Sequence, residues 1–258
     1  MLCLLAIGKA CDTGALKPEY YLCTCPEAEA IVFSGVDRAV AQDPRMAASL
    51  LRLHFHDCFV KGCDGSVLLD DTTTLIGEKT APPNANSLRG FEVIDSIKAE
   101  LEFACPGIVS CADILAIAAR DSVMLTGGPT WQVQLGRRDS RTASKALAND
   151  SIPAPTSNVA TLIQKFQNVG LSQEDMVTLS GAHTIGKARC ATFSARLQNQ
   201  PDPTLEKLML TSLQRLCFNG FSSNSNAVTI LDLETPRTFD NGYYRNLPSG
   251  QGLLNSDQ

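Results

Sequence analysis

The chain has 258 residues, 44% of them hydrophobic, and a net charge of −5 at neutral pH. That is enough apolar material for a sizeable core in one or two domains, and the acidic balance gives no support for a nucleic-acid surface. No apolar run approaches the roughly 20 residues a helix needs to cross a bilayer.

Residues 1–10, MLCLLAIGKA, are apolar but short and have no basic n-region, which makes a marginal signal peptide. The dominant period after that is helical. In Arg52-Leu53-His54-Phe55-His56-Asp57-Cys58, the spacing puts Arg52, Phe55 and His56 on one helix face. A cation, an aromatic wall and a titratable base then aim at one point. Asp57, Asp64 and Ser66 follow as hard oxygen donors separated by glycines, in the manner of a calcium loop closed by a possible Cys58–Cys63 bridge. Ile94, Ile97 and Leu101 mark a helix that ends at Cys105-Pro106-Gly107. Cys111 to Leu125 is Ala-rich and apolar on most sides, so it predicts a buried helix stopped by Gly127-Gly128-Pro129. Trp131, Val133 and Leu135 alternate before the turn Gly136-Arg137-Arg138-Asp139, and a short hairpin is the most that strand signal allows. Residues 139–157 form a polar linker ending Ile152-Pro153-Ala154-Pro155. Val159, Leu162, Ile163, Phe166 and Val169 give an amphipathic stripe. Thr156 or Ser157 can cap its start and Gly170 its end. Ser172 with Asp175 signals the start of the next helix, which runs toward His183.

Ten cysteines are many for a chain of this size. Cys23-Thr24-Cys25 and Cys58…Cys63 fit zinc spacing poorly, so a disulfide framework in an oxidising compartment is the better reading. Asn149-Asp150-Ser151 is a glycosylation sequon.

Taken singly, most candidate residues have bland readings. A lone His183 is a core or capping histidine, Arg52 a surface ion pair, Asn84 a turn residue, Asp232 and Asp240 solvated loop carboxylates, and Pro153 a linker proline. Arg52 already departs from this, because it interrupts the apolar run 47–53. A metal site from His54, His56 and Asp57 conflicts with the divergence of i and i+2 side chains on a helix, and His54 is taken as structural.

Two long motifs change the weighting. Arg52 to Ser66 resembles the distal haem motif of the secretory plant peroxidases, the class III haem and calcium enzymes. Val177-Thr178-Leu179-Ser180-Gly181-Ala182-His183-Thr184-Ile185-Gly186 resembles their proximal haem motif. The resemblance runs from about Tyr20 to Gln258. It implies an all-α fold, with a distal domain over 20–138, the linker and substrate-edge loop over 139–157, and a proximal domain over 158–258. One haem b would lie between the domains. Residues 1–19 would be a leader or signal remnant.

The resemblance also assigns roles. His183 would be the axial ligand of the haem iron, supported by Asp257. His56 would be the distal acid–base, with Asn84 as acceptor for its other N–H and Glu78 continuing that chain toward calcium. Arg52 would stabilise developing negative charge. A distal calcium would take Asp57, Asp64 and Ser66 side chains with Val60 and Gly62 carbonyls. A proximal calcium would take Thr184, Asp232, Thr235 and Asp240 with the Thr238 carbonyl. Pro153 would lie at the haem edge where phenols dock. Cys25 would pair with Cys105, Cys58 with Cys63 and Cys190 with Cys217. Cys111 matches a cysteine whose partner lies beyond Gln258, and Cys3, Cys11 and Cys23 have no counterpart.

The activity the resemblance implies is reduction of hydrogen peroxide with one-electron oxidation of phenolic donors, by a secreted, monomeric enzyme of the wall or extracellular space, with the vacuole as the alternative location. Family C-terminal helices beyond Gln258 would be missing, so the sequence reads as a fragment or an incomplete gene. The competing readings are a secreted haem- or calcium-binding protein of low turnover and a fragment that does not fold.

Overall fold

The computed structural model describes residues 15–198, 200–219 and 222–258. Cys3, Cys11 and most of the expected leader lie outside the described residues. The architecture is helical, as expected: α1 (Ala28–Gln42), α2 (Met46–Cys58), α3 (Phe91–Ala104), α4 (Cys111–Leu125), α5 (Lys145–Ser151), α6 (Val159–Asn168), α7 (Gln173–Ser180), α8 (Lys207–Cys217) and α9 (Gly242–Asn246). Two small antiparallel pairs complete it. β1 (Lys187–Arg189) pairs with β4 (Val228–Ile230), and β2 (Phe218–Asn219) with β3 (Ser222–Ser223). Among the described residues, no helix is long and apolar enough to cross a membrane.

Helix α4 forms the centre of the first core. Ser110 caps it by accepting from the Asp113 N–H, and the Asp139 carboxylate accepts from the Cys111 and Ala112 N–H groups at 3.0 and 2.9 Å. An anion at that end also suits the helix dipole. Ile114, Leu115 and Ile117 are fully buried and pack with Leu50 and Leu53 of α2, Val32 and Val36 of α1, and Ile94, Ile97 and Leu101 of α3. Gly35 allows α1 and α3 to approach, since a Cβ there would lie 2.4 Å from the Ile97 side chain.

Asp113 is buried in the same layer, and its charge is fully met. Tyr21 Oη donates to it at 2.7 Å, the Gly136 N–H at 2.7 Å, and Arg137 Nη1 at 3.0 Å. A buried ion pair of this kind costs little only because every lone pair finds a donor.

The run Trp131–Leu135 is not a hairpin. Leu135 makes one antiparallel bridge with Lys17, and Val133 and Leu135 point into the core while Trp131 is exposed. The alternation in sequence reflects one-sided burial of an extended segment that pairs with no strand among the described residues.

A second core gathers Phe59, Val60 and Ala81 with Ala148, Ile152, Leu162, Phe166 and Met176. The stretch 139–157, read as a linker, therefore contains α5 and contributes Ala148 and Ile152 to packing. Helix α6 is capped by Asn158, which accepts from the Thr161 N–H at 2.9 Å, instead of by Thr156 or Ser157. Gly170, at φ +81°, ends that turn, and the Leu171 N–H reaches back to the Phe166 carbonyl. Helix α7 opens with a reciprocal Ser172–Asp175 capping box.

The third core holds Phe193, Leu197, Leu205, Met209, Leu213, Leu231, Leu253 and Leu254 around the Cys190–Cys217 disulfide. Cys25–Cys105 and Cys58–Cys63 are also formed, while Cys23 and Cys111 are free thiols among the described residues.

Candidate active site

Helix α2 carries Arg52, Phe55 and His56 on one side, as their spacing predicts. His56 is buried, and its Nδ1 lies 2.6 Å from Asn84 Oδ1. The amide oxygen only accepts, so Nδ1 carries the proton and Nε2 keeps its lone pair. Burial, together with the Arg52 charge, holds His56 well below the ordinary histidine range. It is therefore a neutral base at neutral pH.

Asn84 is fixed in turn by its Nδ2, which donates at 2.9 Å to the main-chain carbonyl of Glu78. The chain from Asn84 thus reaches Glu78 through its main-chain carbonyl and not its carboxylate. Glu78 Oε1 accepts from the Ser144 N–H, and Oε2 is buried without a hydrogen-bond partner.

Arg52 donates to Ser87 Oγ at 2.8 Å and to the Pro83 carbonyl at 3.2 Å. Sequence reasoning missed both partners, and a serine three residues after Asn84 gives no signal of its own. Burial and the charge of Arg189 on β1 bring Arg52 down to about 10, so it stays a cation at neutral pH.

His183 sits on a 3₁₀ turn, Gly181–Thr184, that continues α7. Its Nδ1 is 3.1 Å from each oxygen of Asp257, whose carboxylate is only 3% exposed. Burial and the Arg52 charge oppose protonation of this ring, yet Asp257 prevails and raises its pKa. The imidazole keeps 37% of its side-chain surface open. Tyr243, also missed from sequence, packs edge-on against it with centroids 5.9 Å apart.

The segment that bears Asp257 is well tied. Leu253 and Leu254 are buried, Arg196 Nη1 donates to the Gly252 and Leu253 carbonyls, and the Ser256 N–H reaches the Pro155 carbonyl at 3.0 Å.

The Arg52 charge thus acts on both His56 and His183. Two imidazoles, each with Nδ1 engaged and Nε2 without a hydrogen bond among the described residues, share the field of one guanidinium. His183 offers the donor nitrogen that a haem iron takes. His54 is elsewhere on the helix, with its ring 3.6 Å from Cys58 Sγ. That neighbourhood of His54, Cys58 and Cys63 is not a thiolate metal site, because the two cysteines are joined.

The oxygen-rich loop after α2 gathers around buried Asp57, which accepts from the Gly65 and Val67 N–H groups at 2.9 and 3.3 Å. Burial and the nearby Asp64 and Glu78 charges still push Asp57 up to about 7. Ser66 Oγ is buried without a hydrogen-bond partner. A carboxylate cluster short of positive charge beside an unmatched hydroxyl suits a hard cation. Lys61, Gly62 and Gly65 all adopt positive φ, which turns the loop around those oxygens.

The second oxygen cluster lies beside His183. Thr184 Oγ1 is 3.1 Å from Asp232 Oδ2 and 3.5 Å from Asp240 Oδ1, and Thr235 Oγ1 is 3.1 Å from Asp240 Oδ1. A Cβ on Gly242 would meet Asp232 Oδ2, Asp240 Oδ1 and Thr235 Oγ1 at 2.8–2.9 Å, so the oxygens converge beside this glycine. Asn246 Nδ2 orients Asp232 at 3.1 Å. The Thr238 N–H donates to the Thr235 carbonyl at 3.0 Å, which folds the loop carrying the remaining expected ligand. Pro153 is half-buried at the end of α5.

Residues 32–258 match the family model described as Peroxidase. The chain is 65% identical over 243 residues to Peroxidase 40 of Arabidopsis thaliana, covering 92% of this chain and 69% of that protein. It is 55% identical over 255 residues to Peroxidase 4 of Vitis vinifera, covering 99% and 79%, and 56% identical over 248 residues to Peroxidase 9 of Arabidopsis thaliana, covering 94% and 71%. The chain belongs to the peroxidase family. It has the haem peroxidase fold and is an oxidoreductase that acts on hydrogen peroxide with a donor. Family membership carries the enzyme reading over that of a low-turnover binding protein.

Proposed function

We propose that this peroxidase uses haem b, held by His183, to oxidise phenolic donors outside the cell, with one calcium ion in each oxygen cluster. The carrying observation is the contrast between the histidines. One Nδ1 is engaged by an amide and the other by a carboxylate, within the field of the same arginine. An amide partner leaves His56 a weak, neutral base, whereas a carboxylate makes His183 a basic, well-oriented metal ligand. The haem, when bound, supplies the redox chemistry by which peroxide oxygen is reduced and donors are oxidised one electron at a time.

His56 Nε2 takes a proton from one peroxide oxygen and returns it to the other, which leaves as water. Arg52 is aimed at the negative charge that develops between those oxygens. Each phenol yields one electron and one proton, so two phenols and one peroxide give two phenoxyl radicals and two waters. The half-buried Pro153 loop is the docking edge for those phenols.

The distal cation would be held by Asp57, Asp64 and Ser66 with the Val60 and Gly62 carbonyls, beside Glu78. The proximal cation would be held by Thr184, Asp232, Thr235 and Asp240 with the Thr238 carbonyl. Two of the three cores fall within a distal unit over 20–138 and a proximal unit over 158–258, and the third joins the two. Three disulfides support export to an oxidising compartment, and a monomer suffices because both histidines lie in one chain.

The test is stopped-flow reaction of the haem- and calcium-loaded protein with peroxide, followed by guaiacol turnover. His56→Ala should slow the peroxide step by about 10²–10⁴-fold. An unchanged rate would mean that His56 does not carry the proton between the peroxide oxygens.

A further inference from the structure

The sequon at Asn149 has no part in peroxide chemistry, yet the fold gives it a definite setting. It is the only Asn-x-Ser/Thr triplet, with x other than proline, in the 258 residues. Asn149 lies on α5. Its neighbour Ala148 is fully buried and Ile152 nearly so, which fixes the helix to the core and leaves Asn149 on the exposed side. Its carboxamide makes no hydrogen bond among the described residues, so substituting its nitrogen breaks nothing in the fold.

Asn149 also lines a surface groove of about 670 Å³, formed by residues 74–76 on one side and 142–146 on the other. The groove floor is mixed, and Ile76 is 67% exposed beside threonine and serine hydroxyls and Lys145. A pyranose has the same character, with an apolar face and a rim of hydroxyls.

We propose that Asn149 is an N-glycosylation site whose first sugars lie in this groove and cover Ile76. The proposal rests on the export reading above. The donor is a lipid-diphosphate-linked oligosaccharide of the secretory membrane. The Asn149 amide nitrogen attacks its anomeric carbon, and a C–N bond forms as the sugar–phosphate C–O bond breaks. The amide gives up one proton, the lipid diphosphate leaves, and no oxidant or reductant is needed. Ser151 supplies the hydroxyl that the sequon requires.

The experiment is secretion of the full chain from a plant-cell host behind a cleavable leader. Peptide mass spectrometry then follows, before and after peptide N-glycosidase in heavy-oxygen water. The expected result is glycan on Asn149 in the wild type and in Ser151→Thr, and none in Ser151→Ala or Asn149→Gln. Glycosidase should convert Asn149 to a labelled aspartate. Proteolysis within residues 70–77 should be several-fold slower in the glycosylated protein than in Ser151→Ala.

Bare Asn149 in a chain whose three disulfides have formed overturns the site. Bare Asn149 with reduced cysteines overturns the oxidising-compartment reading and the site together. A glycan that leaves proteolysis of 70–77 unchanged overturns its seating in the groove.

Discussion

An imidazole with one nitrogen engaged has only the other to offer, and the engaging group sets its character. The Asp257 carboxylate is the sole acidic hydrogen-bond partner of His183 among the described residues. Asp257→Asn should lower haem retention or turnover by roughly 10–100-fold, the usual cost of losing a partner behind a metal ligand. Haem titration and guaiacol assays on the same samples would separate the two effects.

Cys111 behaves differently from an exposed thiol. Burial, reinforced by the Asp139 carboxylate, pushes it up to about 11. The thiolate is the reactive form, so alkylation of Cys111 should be slow at mildly alkaline pH and accelerate as pH approaches that value. Exposed Cys23 should label faster than Cys111 at mildly alkaline pH, with mass spectrometry reading both sites.

Secondary-structure ends show what is legible at the next scale. The Ser172–Asp175 box can be read directly, because a hydroxyl and a carboxylate three apart satisfy each other's backbone donors whatever the fold around them. Ser172→Ala should cost about 1 kcal/mol, visible as a lower midpoint in thermal or urea unfolding. The start of α6 lies one or two residues beyond where the sequence suggests, since Thr156, Ser157 and Asn158 can all cap and only the chain path selects Asn158. The 131–135 run misleads because alternation reports which side is buried and not whether a strand lies alongside.

At α9, Gly242→Ala would set a methyl among the converging oxygens of Asp232, Asp240 and Thr235. With calcium in both clusters as proposed, it should abolish one of two calcium-dependent increments in thermal stability while leaving the three disulfides formed.

Across the whole molecule, the oxygen clusters bind separate parts together. The segment after Leu135 reaches the first cluster through the Ser140 N–H to the Asp64 carbonyl at 2.8 Å and the Ser144 N–H to Glu78. The second braces the turn that carries His183. Chelation should therefore lower both melting temperature and turnover, and calcium should restore them better than magnesium, which demands a stricter octahedron. At a hundredfold excess over Kd, each site would contribute about 2.7 kcal/mol.

Helices and the buried character of α4 can be read from periodicity because they are local. The meeting of Arg52 with Ser87, or of His183 with Asp257, spans tens of residues of chain and has no local period. The histidine–aspartate pair is expected only through motif resemblance, and nothing in the sequence points to Ser87 or Tyr243.

The pairing of His183 with Asp257 also sets an order in time. Seventy-four residues separate the two. At about 5–20 residues per second, a ribosome needs several seconds to pass from one to the other. Through that interval the nascent chain displays a histidine of ordinary basicity. Cofactor capture before Asp257 has been made would meet a different ligand from the one the folded site presents.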